Sequence, residues 1–101
     1  MRRVRILEDA SDEALAAAAW YDQQKRGLGI EFEQALDAAL DLLEEDLAPL
    51  VPVPGVAGAK GAKRLLLGRF PYSIVVRESS DEYLLIAIAH QHRRPGYWKD
   101  R

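Results

Sequence analysis

The residues of this 101-residue chain best equipped for chemistry stand at its end: His90-Gln91-His92-Arg93-Arg94-Pro95-Gly96-Tyr97-Trp98-Lys99-Asp100-Arg101. Imidazoles change charge near neutral pH, arginines present planar forks matched to phosphate or carboxylate, and aromatics bring large apolar area that docks. Farther back, Lys60, Lys63, Arg64, Arg69 and Arg77 add cations. These parts suit more than one task. Metal-free RNA cleavage needs arginines on a pentacoordinate phosphate and a His or Tyr to move protons. Protein binding uses the same types, since Trp, Tyr and Arg dominate interface hot spots. A structural reading stands beside both: His90 and Arg93 hydrogen-bond the tail back, and Tyr97 and Trp98 close a sheet.

Other chemistries find little footing. The chain has no cysteine, so neither a disulfide nor a thiolate site is available. Its serines are Ser11, Ser73, Ser79 and Ser80, and none sits in a nucleophile elbow. Residues 55–60 lack the spacing of a phosphate-binding loop. His90 and His92 lie two apart, and on an extended segment they point in opposite directions. With no third ligand near them, no metal and no cofactor is expected. The carboxylates of the first half recur at i, i+3 and i+4, the pattern of a solvated helix face.

A scaffold must hold that tail, and the hydrophobic pattern supplies one. Residues 4–7 form a short β-capable run, followed by acids and Ser11 as a helix-start signal. An alanine-rich helix is predicted from 9 or 11 to 25, with Ala14, Ala18 and Tyr21 on one stripe and Leu15 beside it. Gly27 reads as its C-terminal cap. A second helix is predicted over 30–47, its stripe formed by Phe32, Leu36, Leu40, Leu43 and Leu47. So short a link implies an antiparallel helical hairpin. Residues 48–62, rich in Pro and Gly, read as a long loop without regular structure. Three β-runs follow, at 63–67, 72–77 and 83–89, and the last is apolar nearly throughout, as a central strand covered on both faces would be. The prediction is one α+β domain over 1–101, ordered β-α-α-β-β-β, with the hairpin on one face of a small, mostly antiparallel sheet. The opposite face needs cover from the tail or from a partner.

Bulk properties agree with one globular domain: 49% hydrophobic and 30% charged residues, at a length able to bury a single core. The start, Met1-Arg2-Arg3-Val4-Arg5, leads into acids and does not read as a signal peptide. No run approaches the roughly 18 apolar residues that span a bilayer, so a cytoplasmic protein is expected. Net charge is −2, unevenly spread. Residues 1–59 hold five Lys/Arg against twelve Asp/Glu, and residues 60–101 hold nine against four. Either the later, basic half seeks an acidic partner or the halves neutralise each other in the fold.

Four stretches carry a resemblance. They are Ala19-Trp20-Tyr21, Gly27-Leu28-Gly29-Ile30-Glu31-Phe32, Arg69-Phe70-Pro71-Tyr72, and the tail His90-x-x-Arg93-x-Pro95-Gly96-Tyr97-Trp98-x-x-Arg101. In this order, over nearly the whole chain, the sequence resembles the RelE/ParE toxin superfamily of bacterial type II toxin–antitoxin systems. The resemblance implies the same two-helix, small-sheet fold. It also implies a toxin held by a cognate antitoxin, whose C-terminal segment folds on it, in a system of the kind linked to plasmid stabilisation. Any DNA contact would belong to the antitoxin. RelE-like members are ribosome-dependent mRNA endonucleases, and ParE-like members are implicated in inhibiting DNA gyrase by direct contact.

For a nuclease the resemblance implies roles for Arg64, Arg69, Arg77, Arg93 and Tyr97. However, Gln91 stands where an arginine is expected just beyond the last strand. A protein that must hold ribosomal and messenger RNA should also carry a strong positive balance. The expectation is therefore a ParE-like binder, not a catalyst, with His90, Arg93, Arg94, Tyr97, Trp98 and Arg101 as its target surface or tail motif. Arg94, Lys99 and Arg101 are expected to meet a partner. A RelE-like nuclease and a non-toxic, antitoxin-binding member remain as alternatives. Convergence of Arg64, Arg77, Arg93 and Tyr97 on one anion-sized pocket, with a proton-transferring group in reach, would overturn the non-catalytic expectation.

Overall fold

The computed structural model describes residues 2–55, 61–94 and 96–101. Lys60, part of the 48–62 segment and Pro95 lie outside the described residues. Strand β1 (Arg3–Ile6) leads directly into helix α1 (Glu8–Gln24), which begins at Glu8 rather than at Asp9 or Ser11. Its N-cap, Leu7, offers no side-chain oxygen, so Glu8 and Asp9 at the positive end of the helix dipole are the favourable start signals. The buried stripe of α1 is Ala10, Ala17, Ala18 and Tyr21, while Leu15 is 65% exposed.

Helix α2 (Leu28–Glu44) lies against α1. The seam is tight because its residues are small: a Cβ on Gly29 would sit 2.4 Å from the Ala18 carbonyl oxygen. The hairpin break needs Gly27 in the left-handed region, at φ +89°, where other residues are strained. Lys25, not Gly27, caps α1, its N–H donating to the Tyr21 carbonyl. Asp22 of α1 then accepts from the Gly29 N–H at 2.7 Å, satisfying a first-turn donor of α2. Helix α2 starts two residues before the predicted position and stops three short of Leu47, as Asp46 turns to φ +58°. Phe32, Leu36, Ala39 and Leu43 are buried, and Leu47 is 66% exposed.

The 48–62 segment is not wholly irregular. Val51–Pro52 forms a two-residue strand, β2, paired antiparallel with β3 (Ala62–Leu66). Strands β4 (Tyr72–Glu78) and β5 (Glu82–His90) complete a five-stranded sheet in the order β1-β5-β4-β3-β2. Among the described residues only the β1–β5 pairing is parallel, so the α+β, mostly antiparallel prediction holds with one added edge strand. The middle of the sheet is β4, and β5 lies beside it with both faces covered.

Each face of the sheet has its own core. The helix side gathers Tyr21, Phe32, Leu36, Leu43, Leu65, Phe70, Ile74, Val76, Tyr83, Leu85 and Ile88. Burying a side chain of that size is worth about 1.5–3 kcal/mol, so this layer dominates stability. The opposite face gathers Val53, Ala62, Val75, Ile86, Ala87 and Trp98. A β-bulge lets β5 serve both. Val75 pairs with Ala87 and Val76 with Leu85, leaving Ile86 as the extra residue. Two successive apolar side chains, Ile86 and Ala87, thereby join the same core.

Candidate functional site

The non-helical face of the sheet is where the tail residues come together. After β5 the chain turns, with Gln91 N–H donating to Pro71 O at 2.8 Å and Arg93 N–H to His90 O at 3.0 Å. This turn corrects the expectation that His90 and His92 point apart. Their ring centroids are 5.4 Å apart, and His90 Nδ1 accepts from the His92 backbone N–H at 3.1 Å, which leaves the proton of neutral His90 on Nε2. Residues 96–101 then coil back over the sheet in two turns, from Lys99 N–H to Gly96 O and from Arg101 N–H to Trp98 O. Trp98 is 3% exposed and fills the face beside Val75, Ile86 and Ala87.

One carboxylate fastens this tail. Glu13, from α1, accepts from the Tyr97 hydroxyl at 2.5 Å, from Arg101 at 2.7 Å and from the backbone N–H of Ile88 at 3.1 Å. Burial works against its charge, but the bonds from Arg101, Tyr97 and Ile88 outweigh burial and hold the carboxyl below its ordinary range. The Tyr97 phenol is displaced the other way. Burial, reinforced by the bond to Glu13, raises its proton affinity well above that of a free tyrosine. Arg93 lies 3.7 Å over the Tyr97 ring and 3.8 Å from the Glu13 carboxylate.

Beside this cluster opens a small pocket, about 50 Å³, lined at its polar wall by Arg64, Ser73, His90, Gln91, Arg93 and Arg94. Val53, Val75, Ala89, Tyr97 and Trp98 form the rest. Arg64 Nε and Ser73 Oγ are buried with no hydrogen-bond partner, an arrangement that costs free energy unless a ligand or water completes it. The lining thus brings guanidiniums and a buried hydroxyl together, groups whose chemistry suits a small oxyanion.

Of the four residues whose convergence was at issue, Arg64, Arg93 and Tyr97 line the pocket, and His90 joins them. Arg77 does not; it is exposed on β4, opposite Ala62. Arg69 is also elsewhere, bound to Glu31 at 2.7 Å and lying over the Phe70 ring. Arg101, expected to meet a partner, is instead committed to Glu13, with Asp9 at 3.5 Å. Lys63 binds Glu78 at 2.9 Å, and Arg2 binds the same carboxylate. The basic half is thus partly neutralised by acids, several of them from the helices, while Arg77, Arg94 and Lys99 stay exposed. The sequence reading missed Glu13. Its signal was its place on the Ala10–Ala17 stripe, three and four residues from buried alanines.

Among the described residues no three His, Asp or Glu side chains gather as a metal-holding group. No helix among them is long and apolar enough to cross a membrane.

No family model matches the sequence, and no curated protein matches it. Solved structures do match the fold. A chain of the chromosomal ParDE TA system from P. aeruginosa superposes with a TM-score of 0.71, at 18% identity, over 89% of this chain and 96% of that one. A histidine-to-glutamine mutant of YafQ from E. coli gives a TM-score of 0.62, at 12% identity, over 90% of this chain and 94% of that one. The chain therefore has the RelE/ParE-type fold over about nine-tenths of its length.

Proposed function

We propose that this domain is the toxin of a type II toxin–antitoxin pair, of the ParE-like kind, acting in the cytoplasm by protein contact on DNA gyrase. The observation that carries the reading is the near-complete, two-way likeness to the ParDE-system chain. The tail geometry supports contact over catalysis. Tyr97 donates a hydrogen bond to Glu13 and keeps its proton tightly, so it is poorly placed to exchange protons near neutral pH. Exposed Arg94, Lys99 and Arg77 supply a target surface, and Tyr97 and Trp98 dock the tail that carries Lys99.

The neutralising partner is a cognate antitoxin. Exposed Leu15, Trp20 and Ile30 on the helices offer apolar anchors, and the surrounding acids suit a basic segment. DNA is met only through that antitoxin.

A second reading, the RelE-like ribosome-dependent endonuclease, is favoured by one observation: Arg64, Arg93, His90 and Tyr97 share one pocket. Induced expression, with and without the neighbouring antitoxin frame, tests toxicity. Purified protein added to gyrase should then trap cleaved DNA–gyrase complexes and leave translated mRNA intact. Site-specific mRNA cutting, abolished by Arg64→Ala and slowed by orders of magnitude in Tyr97→Phe, would install the second reading instead. Normal growth without the antitoxin would remove the toxin claim and leave a non-toxic, antitoxin-binding domain.

A further inference from the structure

Glu13 and Arg101 meet an interrupted edge of the sheet. Strand β1 stops at Ile6, and Leu7 N–H still donates to Leu85 O at 3.1 Å. Beyond that point, among the described residues, β5 keeps β4 on one side but has no strand on its β1 side. The bulge makes the next carbonyl, Ile86 O, an acceptor for Arg101 at 3.2 Å, and Ile88 N–H donates to Glu13. Carboxylate and guanidinium also bind each other, so together they stand in for the missing strand. The same six tail residues wall the pocket with Tyr97 and Trp98, and Glu13 draws Arg93 over the Tyr97 ring.

We propose that residues 96–101 are a releasable strap over the Arg64–Ser73 pocket, and that Glu13 is the catch that keeps it closed. With the catch engaged, Arg93 is occupied by a carboxylate and an aromatic face, and the pocket stays narrow. With it released, Tyr97 and Trp98 leave the lining, Arg93 turns toward the opening beside Arg64, and an oxyanion reaches Ser73. The strap thus regulates access to the pocket. The proposal does not rest on the toxin reading, because neither growth nor a cellular target enters its test.

The test uses the full chain carrying Trp20→Phe, so that Trp98 alone reports. Glu13→Gln and Arg101→Ala each undo the catch but change the charge in opposite directions. Both should raise acrylamide quenching of Trp98 and speed amide exchange at Ile88 by about tenfold, the scale of a lost charge-assisted bond. The Ile74 and Val76 amides should keep their protection. Inorganic phosphate, titrated against the Arg64 and Ser73 amides, should bind both variants more tightly than the parent. Tyr97→Phe, which removes one hydroxyl, should shift quenching in the same direction by less, and serves if either charge variant fails to fold.

Unchanged Trp98 shielding and Ile88 protection would overturn the proposal. So would a parallel loss of protection at Ile74 and Val76, which marks general destabilisation. Phosphate binding that tightens in Glu13→Gln but weakens in Arg101→Ala would reduce the effect to charge alone, and the strap would go.

Discussion

The two faces of the sheet are covered by different means. On one, two seventeen-residue helices press an interlocked set of rings, Tyr21, Phe32, Phe70 and Tyr72, onto the strands, with neighbouring centroids 5.0–6.2 Å apart. On the other, six tail residues, Trp98 among them, and one carboxylate do much of the covering, and two polar atoms stay unsatisfied. Apolar packing is non-directional and cooperative, whereas a few directional bonds can be lost without disturbing the rest. The difference separates a face that holds the molecule together from a face free to change.

The comparison can be broken most directly by truncating one large side chain on each side. Phe32→Ala should cost about 4 kcal/mol in urea unfolding, near the middle of what buried aromatics lose. Trp98→Ala should cost less, about 2–3 kcal/mol, because the tail can settle into the space. Equal costs would erase the distinction. The helical seam should also resist additions: Gly29→Ala drives a methyl against the Ala18 backbone oxygen and should cost about 1–3 kcal/mol.

Smaller effects sharpen the contrast on the tail side. Glu13→Gln should cost about 1–2 kcal/mol at neutral pH. Because Glu13 titrates below its ordinary range in the folded chain, its contribution is full above the unfolded glutamate pKa and is lost as pH falls through the folded value. The gap in Tm between parent and Glu13→Gln should therefore close on acidification. Asp46 and Glu78 shift in the same direction, so only the difference between the two proteins isolates Glu13. Ser73→Ala should be the mildest change, neutral or stabilising by up to about 1 kcal/mol, since it removes a buried hydroxyl that has no partner. A loss above that would mean the hydroxyl is satisfied after all.

Periodicity made the scaffold legible. The stripe from Phe32 to Leu43 and the apolar run of β5 located the hairpin and an interior strand, because spacing reports which face is buried. Helix ends were less legible. Leu47 continues the stripe, yet Asp46 breaks the helix before it through a local backbone turn that carries no hydrophobic signature. Strand β2 was hidden because two residues show no alternation and one is proline, tolerated at an edge. The tail stood out as a cluster, but what fastens it did not. Glu13 looks like any carboxylate on a helix until the fold brings the Ile88 amide and the chain end to it, and that depends on contacts some 75 and 88 residues away.

The additional residue in β5 has a genetic corollary. Removing the Ile86 codon would leave inward and outward positions alternating from Leu85 through Ala87 to Ile88, so the ladder could knit without a flaw. What would vanish is the second of two consecutive carbonyl acceptors, the one that moors the final arginine. A three-base deletion would thus cost the terminus one mooring and a buried neighbour of Trp98, leaving Glu13 to hold it.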